Sequence, residues 1–151
     1  MVMKINYVEN KNGKLFSFHR HDFKENTDSS DNYIFIDGGF ENYIRCSGEL
    51  KQGEIKDLMP DIRNIFTWGQ NYNEKNERLP ETIYKPLKDL TTSHISGIIR
   101  FILEKSTWNE EEQYFIQGKQ IMAILLIFTY ELENRLKDEM ERQNIKTKRA
   151  R

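Results

Sequence analysis

Two histidines, two aspartates and two arginines fall at the ends of short apolar runs. They lie in His19-Arg20-His21-Asp22-Phe23, then Asp37-Gly38-Gly39, then Tyr43-Ile44-Arg45. Where neighbouring strands bring such ends together, several kinds of chemistry come within reach. His19, His21, Asp22 and Asp37 are nitrogen and oxygen donors of the sort that hold zinc or a harder divalent ion. An extended backbone sends residues 19 and 21 to one side and 20 and 22 to the other, so they share one metal only where the chain bends. A histidine as general base, oriented by Asp37, with Arg45 against a developing negative charge, suits phosphoryl chemistry. That makes a metal-dependent phosphodiesterase or nuclease the enzymatic alternative. No Walker loop, HExxH helix, GxSxG elbow or zinc-finger spacing accompanies these residues.

Binding asks for less. Arg20 and Arg45 can fork onto carboxylate or phosphate oxygens, Gly38 and Gly39 admit close backbone approach, and Phe23, Tyr43 or Trp68 offer a face to a flat ring. The candidate ligand-binding set is therefore Arg20, His21, Asp22, Asp37, Gly38, Gly39, Tyr43, Arg45 and Trp68. No residue is assigned a catalytic role, and no metal or cofactor is expected. An Arg-Asp-His network that merely joins two hairpins is the competing reading, and it stays open. His94, at the start of an apolar helix stripe, reads as a packing or capping residue. Cys46 reads as a small buried side chain, with no His or Lys near it in sequence to activate its thiol.

The elements that must position this cluster are short strands. Val2 to Val8 alternates around Met3, Ile5 and Tyr7, and Asn10-Lys11-Asn12-Gly13 supplies a turn into Lys14 to Phe18. A polar span from Lys24 to Asn32, expected to be a mobile loop, separates Phe23 from the β-prone run Tyr33-Ile34-Phe35-Ile36. Gly38-Gly39 then lets Tyr43 to Cys46 return as another strand. Beyond these, Leu58, Met59, Ile62, Ile65 and Phe66 predict a helix over Lys56 to Trp68, with Asp57 available as cap and Pro60 in the first turn. Asn71 to Pro86 reads as a long ordered loop with a possible strand near Ile83 to Leu87. Thr91, Thr92 or Ser93 caps a helix with the stripe Ile95, Ile98, Ile99, Ile102 and Leu103. A last helix starting near Asn109 or Glu110 is apolar at its centre and charged beyond Leu132, so its centre is buried and its end projects or pairs.

The fold class is thus α+β: a small N-terminal antiparallel β-sheet of about four strands, followed by three helices, the last one long. Its 151 residues suit a single domain. The sheet spans 1–50, a helix, long loop and helix span 55–105, the long helix spans 108–145, and a disordered basic tail spans 146–151. With 37% apolar residues and nine Phe beside seven Tyr, the chain carries too many large core-formers to stay disordered. A net charge of -1 provides no global field for wrapping nucleic acid, which is not an expected partner despite the basic C-terminal end. One cysteine excludes an internal disulfide and suits a reducing compartment. The start MVMKINYV lacks the pattern of a secretory signal, and the apolar run Ile121 to Tyr130 is too short to span a bilayer, so a cytoplasmic location is expected. The bias to Ile, Lys and Asn, with their AT-rich codons, points to a low-GC host or its mobile elements.

Four elements taken together, RHDF, DGG-x-x-x-Y-x-R, FTWG-x-N-Y and LKDL-T-x-x-HI, resemble those of a group of small phage and prophage proteins of Gram-positive bacteria. The likeness covers roughly Phe16 to Leu103. It extends to shorter phage proteins in which RHDF and DGG sit between the cysteine pairs of a zinc ribbon. Here Phe16 to Phe18 and Asn32 to Phe35 stand in place of those cysteines, so ribbon zinc is not implied. The resemblance implies an origin, and with it a non-enzymatic accessory role. Such a protein would interfere with host defence, for example CRISPR or nucleotide-signal immunity, by binding a host protein or sequestering an anionic nucleotide-like ligand. Its place would be the cytoplasm of the infected or lysogenic host, and its long last helix would offer a route to a homodimer.

Overall fold

The computed structural model describes residues 3–17, 23–38, 44–73, 75, 77–104, 115–116 and 119–150, with 115–116, 119–120 and 147–150 as backbone alone. The chain is α+β: six strands come first, and three helices, the last one long, follow with two short hairpins set between them. Six strands lie in the first part: β1 (Lys4–Asn10), β2 (Gly13–Phe16), β3 (Phe23–Thr27), β4 (Tyr33–Gly38), β5 (Ile44–Ser47) and β6 (Lys51–Glu54). They form two antiparallel sheets, ordered β2-β1-β6 and β3-β4-β5. The expected count of about four strands leaves out β3 and β6. Both are polar edge strands, FKENT and KQGE, whose order comes from the neighbour they pair with rather than from their own pattern.

Alternation along β1 and β2 makes the first sheet a middle layer. Ile5, Tyr7 and Phe16 turn to the helices, while Val8 and Leu15 turn the other way onto Ile34, Ile36 and Cys46 of the second sheet. Val8 and Ile36 are fully buried there, each worth about 1.5–3 kcal/mol relative to exposure.

A polar joint fixes the two layers in register. Asp28 accepts backbone N–H bonds from Lys11, Ser30 and Asn32 at 3.0, 2.9 and 3.0 Å, and Asn10 and Asn12 donate their amides to Asn26. The span expected to be a mobile loop is instead a strand to Thr27 and a tight turn, because one buried carboxylate gathers its donors. Gly13, at φ 131, takes the turn geometry between β1 and β2.

From β6 the chain enters α1 (Ile55–Ile65) directly. No side chain caps it; the Met3 carbonyl receives the Ile55 N–H at 3.0 Å, and Asp57 lies in the first turn. Pro60 lies a turn further in than expected. It leaves the carbonyl four residues back, on exposed Lys56, without its helical donor. The region expected to be a loop is a hairpin of β7 (Thr67–Tyr72) and β8 (Arg78–Pro86), with a bulge between Gln70 and Tyr72. Its two prolines are tolerated because β8 is an edge strand in a two-stranded sheet. A 3-10 turn (Leu87–Asp89) leads into α2 (Thr92–Glu104), which Thr91 caps by accepting the His94 N–H at 3.2 Å. Ile95, Ile98 and Ile102 are buried as expected, whereas Leu103 is exposed.

The last helix, α3 (Ile121–Ala150), begins later than expected, after the short pair β9 (Phe115–Ile116) and β10 (Lys119–Gln120). Gly118 lies inside the span expected to be helical, where glycine costs about 1 kcal/mol relative to alanine. Ala123, Ile124, Ile127 and Phe128 fill the core, and Phe128 meets Phe66 and Trp68 edge-on at 5.6 and 5.4 Å. The charged half projects, and its helix continues through the basic stretch expected to be disordered. Glu131, 1% exposed, anchors the junction through Arg63 and Arg135. Among the described residues no helix is long and apolar enough to cross a membrane.

Candidate functional site

Strand β4 carries the site because its period of two separates its residues cleanly. Ile34, Ile36 and Gly38 are buried against the middle sheet, and Tyr33, Phe35 and Asp37 point outward. Register then adds neighbours on the same face. Asp37 stands between Phe23 of β3 and Arg45 of β5, and Phe35 stands between Glu25 and Ser47. Among the described residues no further layer covers this face, and Phe23 is 51% and Tyr33 44% exposed.

Two features meet there. Arg45 Nη2 donates to Asp37 Oδ2 at 3.1 Å, with the arginine side chain 62% exposed and the aspartate 21%. A single bond engages one of the five guanidinium N–H groups and orients the fork without using it up. Beside this pair, the Phe23 and Phe35 rings stack at 5.7 Å and 28°, and Tyr33 follows at 6.1 Å. The Tyr33 hydroxyl donates to Glu25 at 2.8 Å; that bond, with lesser help from burial and the carboxylate charge, raises the phenol above its usual range. It therefore stays a neutral donor. A row of rings next to an oriented guanidinium can hold a flat group and an attached anion at once.

Of the expected site residues, Asp37 and Arg45 are brought together; Gly38 lies on the buried side of β4, where it adopts φ 73, the backbone geometry for which a glycine was expected. Asp37 and Arg45 lie on an open sheet face. Arg20, His21, Asp22, Gly39 and Tyr43 lie outside the described residues, as does His19. Trp68, expected in the ligand-binding set, is instead 6% exposed in the main core against Phe128, because α3 covers it, and it forms no wall of this face. Tyr33, Phe35 and Glu25, absent from the expected set, share this face. The signal was present in Tyr33-Ile34-Phe35-Ile36-Asp37, where aromatic and polar residues alternate with isoleucine. Among the described residues no group of three or more His, Cys, Asp or Glu converges to hold a metal ion. No family model, curated protein or solved structure matches the chain.

Proposed function

We propose that this is a non-enzymatic binding protein whose outer sheet face takes an anionic, nucleotide-like group. The base would lie on the Phe23–Phe35 rings and the phosphate on Arg45. The observation that carries this is the stack of exposed Phe23 on half-buried Phe35 beside the exposed Arg45, which is held by Asp37, on one sheet face. Base-on-aromatic stacking is worth about 1–3 kcal/mol per base, and charge-assisted bonds to a phosphate add direction as well as energy. With its motifs resembling those of phage and prophage proteins, the chain reads as an accessory factor that interferes with host defence by sequestering such a ligand.

A thermal-shift and calorimetric screen of the full chain against nucleoside phosphates and cyclic nucleotides tests this. A ligand at one hundred times its dissociation constant stabilises by about 2.7 kcal/mol. Phe23→Ala and Arg45→Ala should each weaken binding at least tenfold while leaving the unliganded melting point nearly unchanged, since both side chains are exposed. A screen in which no nucleotide moves the midpoint refutes the reading and turns attention to a host protein as target.

A further inference from the structure

Two sequence elements that the sheet face does not use, FTWGQNYN and LKDLTTSH, come together elsewhere in the fold. They line a cleft of about 460 Å³ between the β7–β8 hairpin and the start of α2. Tyr72 and Asn73 come from the hairpin's first strand and turn, Lys85 from its second strand, Asp89 from the 3-10 turn and His94 from α2. That volume falls within the range of small-molecule sites.

Its hydrogen-bonding capacity is lopsided. Asn73 Oδ1 accepts the backbone N–H groups of Lys75 and Glu77, both at 2.9 Å, which settles the orientation of the amide and leaves its NH2 group as the available end. Lys85 makes no ion pair with a described residue, and it stands more than 4 Å from Asp89 in the same cleft. The His94 backbone N–H is already satisfied by Thr91, so the helix end itself is not what is on offer. What remains is a cation, the Asn71 and Asn73 amide donors, a phenol and an imidazole lining one cleft, with the Asp89 carboxylate and the Gln70 amide oxygen among them as acceptors.

We infer that this cleft is a second binding site, for a small oxyanion of carboxylate or phosphoryl type held by Lys85, the Asn73 amide and His94. It stands independently of the sheet-face reading. The titratable groups that share the cleft with His94 are Lys85 from β8, Tyr72 from β7 and Asp89 from the 3-10 turn. Burial, and to a lesser degree the Lys85 charge, holds the His94 imidazole below its usual range, which favours the neutral ring at pH 7. An oxyanion beside it favours the imidazolium. Binding therefore takes up a proton and tightens as pH falls through the histidine range.

Histidine ring and side-chain amide resonances of the full chain, followed by two-dimensional NMR during separate titrations with sulfate and acetate, provide the test. His94→Gln identifies the His94 signals. Movement with sulfate alone identifies a phosphoryl-type ligand, with acetate alone a carboxylate, and with both a general oxyanion. In each supporting case the His94 midpoint rises, Lys85→Ala weakens binding at least tenfold, and Phe23→Ala changes nothing. Silence of His94 toward both anions overturns the inference. So does an equal loss in Lys56→Ala, an exposed lysine outside the cleft, because that would reveal diffuse charge attraction.

Discussion

Replacing Glu131 with alanine removes the one carboxylate that two arginines share at the junction of α1 and α3. Arg63 donates Nε and Nη2 to it at 2.8 and 3.2 Å, and Arg135 donates Nε at 3.1 Å. The Arg63 guanidinium is held above its usual range first by this hydrogen bond, against the opposing effect of burial. The two arginines differ in what they can do once Glu131 is gone. Arg63, 39% exposed, can swing into water. Arg135, 22% exposed, is tied to Thr92 Oγ1 at 3.1 Å and the Leu87 carbonyl at 3.2 Å, so its charge stays where it is with its counter-ion lost. Breaking a buried pair from one side costs about 3–5 kcal/mol, a large share of a typical 5–15 kcal/mol domain stability. Glu131→Gln keeps an acceptor without the charge and should cost about 1.5–3 kcal/mol, the range for a hydrogen bond to a charged group. Arg63→Ala, which leaves Glu131 paired with Arg135, should cost about 1 kcal/mol or less. Urea denaturation followed by circular dichroism measures all three. Glu131→Ala within 1 kcal/mol of the parent, or Arg63→Ala as damaging as Glu131→Ala, would refute the claim that this carboxylate is what holds the junction.

The Asp28 joint predicts a pH dependence. Hydrogen bonds from the Asn32 and Lys11 amides lead in lowering its pKa from 3.8, so its contribution is present above that value and is lost as pH falls through the lower folded value. Melting points measured from pH 7 to pH 2.5 should fall more steeply for the parent than for Asp28→Asn; parallel curves would exclude the joint as a source of acid sensitivity. Two glycines should respond oppositely to alanine. A Cβ at Gly53 meets Leu58 Cδ1 at 3.0 Å, so Gly53→Ala should destabilise by about 1–3 kcal/mol. Gly97, mid-helix with nothing within 4 Å, should stabilise by about 0.5–1 kcal/mol on the same change, and calorimetric melting points distinguish the signs. On the projecting half of α3, Leu136 and Met140 are 62% and 57% exposed. If a homodimer forms through this helix, sedimentation velocity should show Leu136→Lys with Met140→Lys reducing a dimer to a monomer; a monomeric parent at high concentration rules the dimer out.

Much of this molecule was legible in local pattern. The first hairpin, the run Tyr33 to Ile36, the cap of α2 at Thr91 and the buried centre of α3 follow from turn residues and from periods of two or near four. Each such signal arises within a few neighbouring residues, so the one-dimensional chain carries it. The meeting of Asp37 with Arg45 followed too, because antiparallel return through glycine brings strand ends side by side.

What the chain alone left open depends on partners distant in sequence. Strands β3 and β6 have little pattern of their own and exist because β4 and β1 offer them unpaired edges. Asp28 looks like an ordinary loop aspartate until the β1–β2 turn supplies the Lys11 amide. Alternation shows that a strand has two faces, but only packing decides which face a second layer covers. That decision buries Trp68 beneath α3, leaves Phe23 and Arg45 exposed and leaves Phe35 half-buried. Composition and spacing determined which groups are available for chemistry, and the stacking of layers determined which of them a ligand can reach.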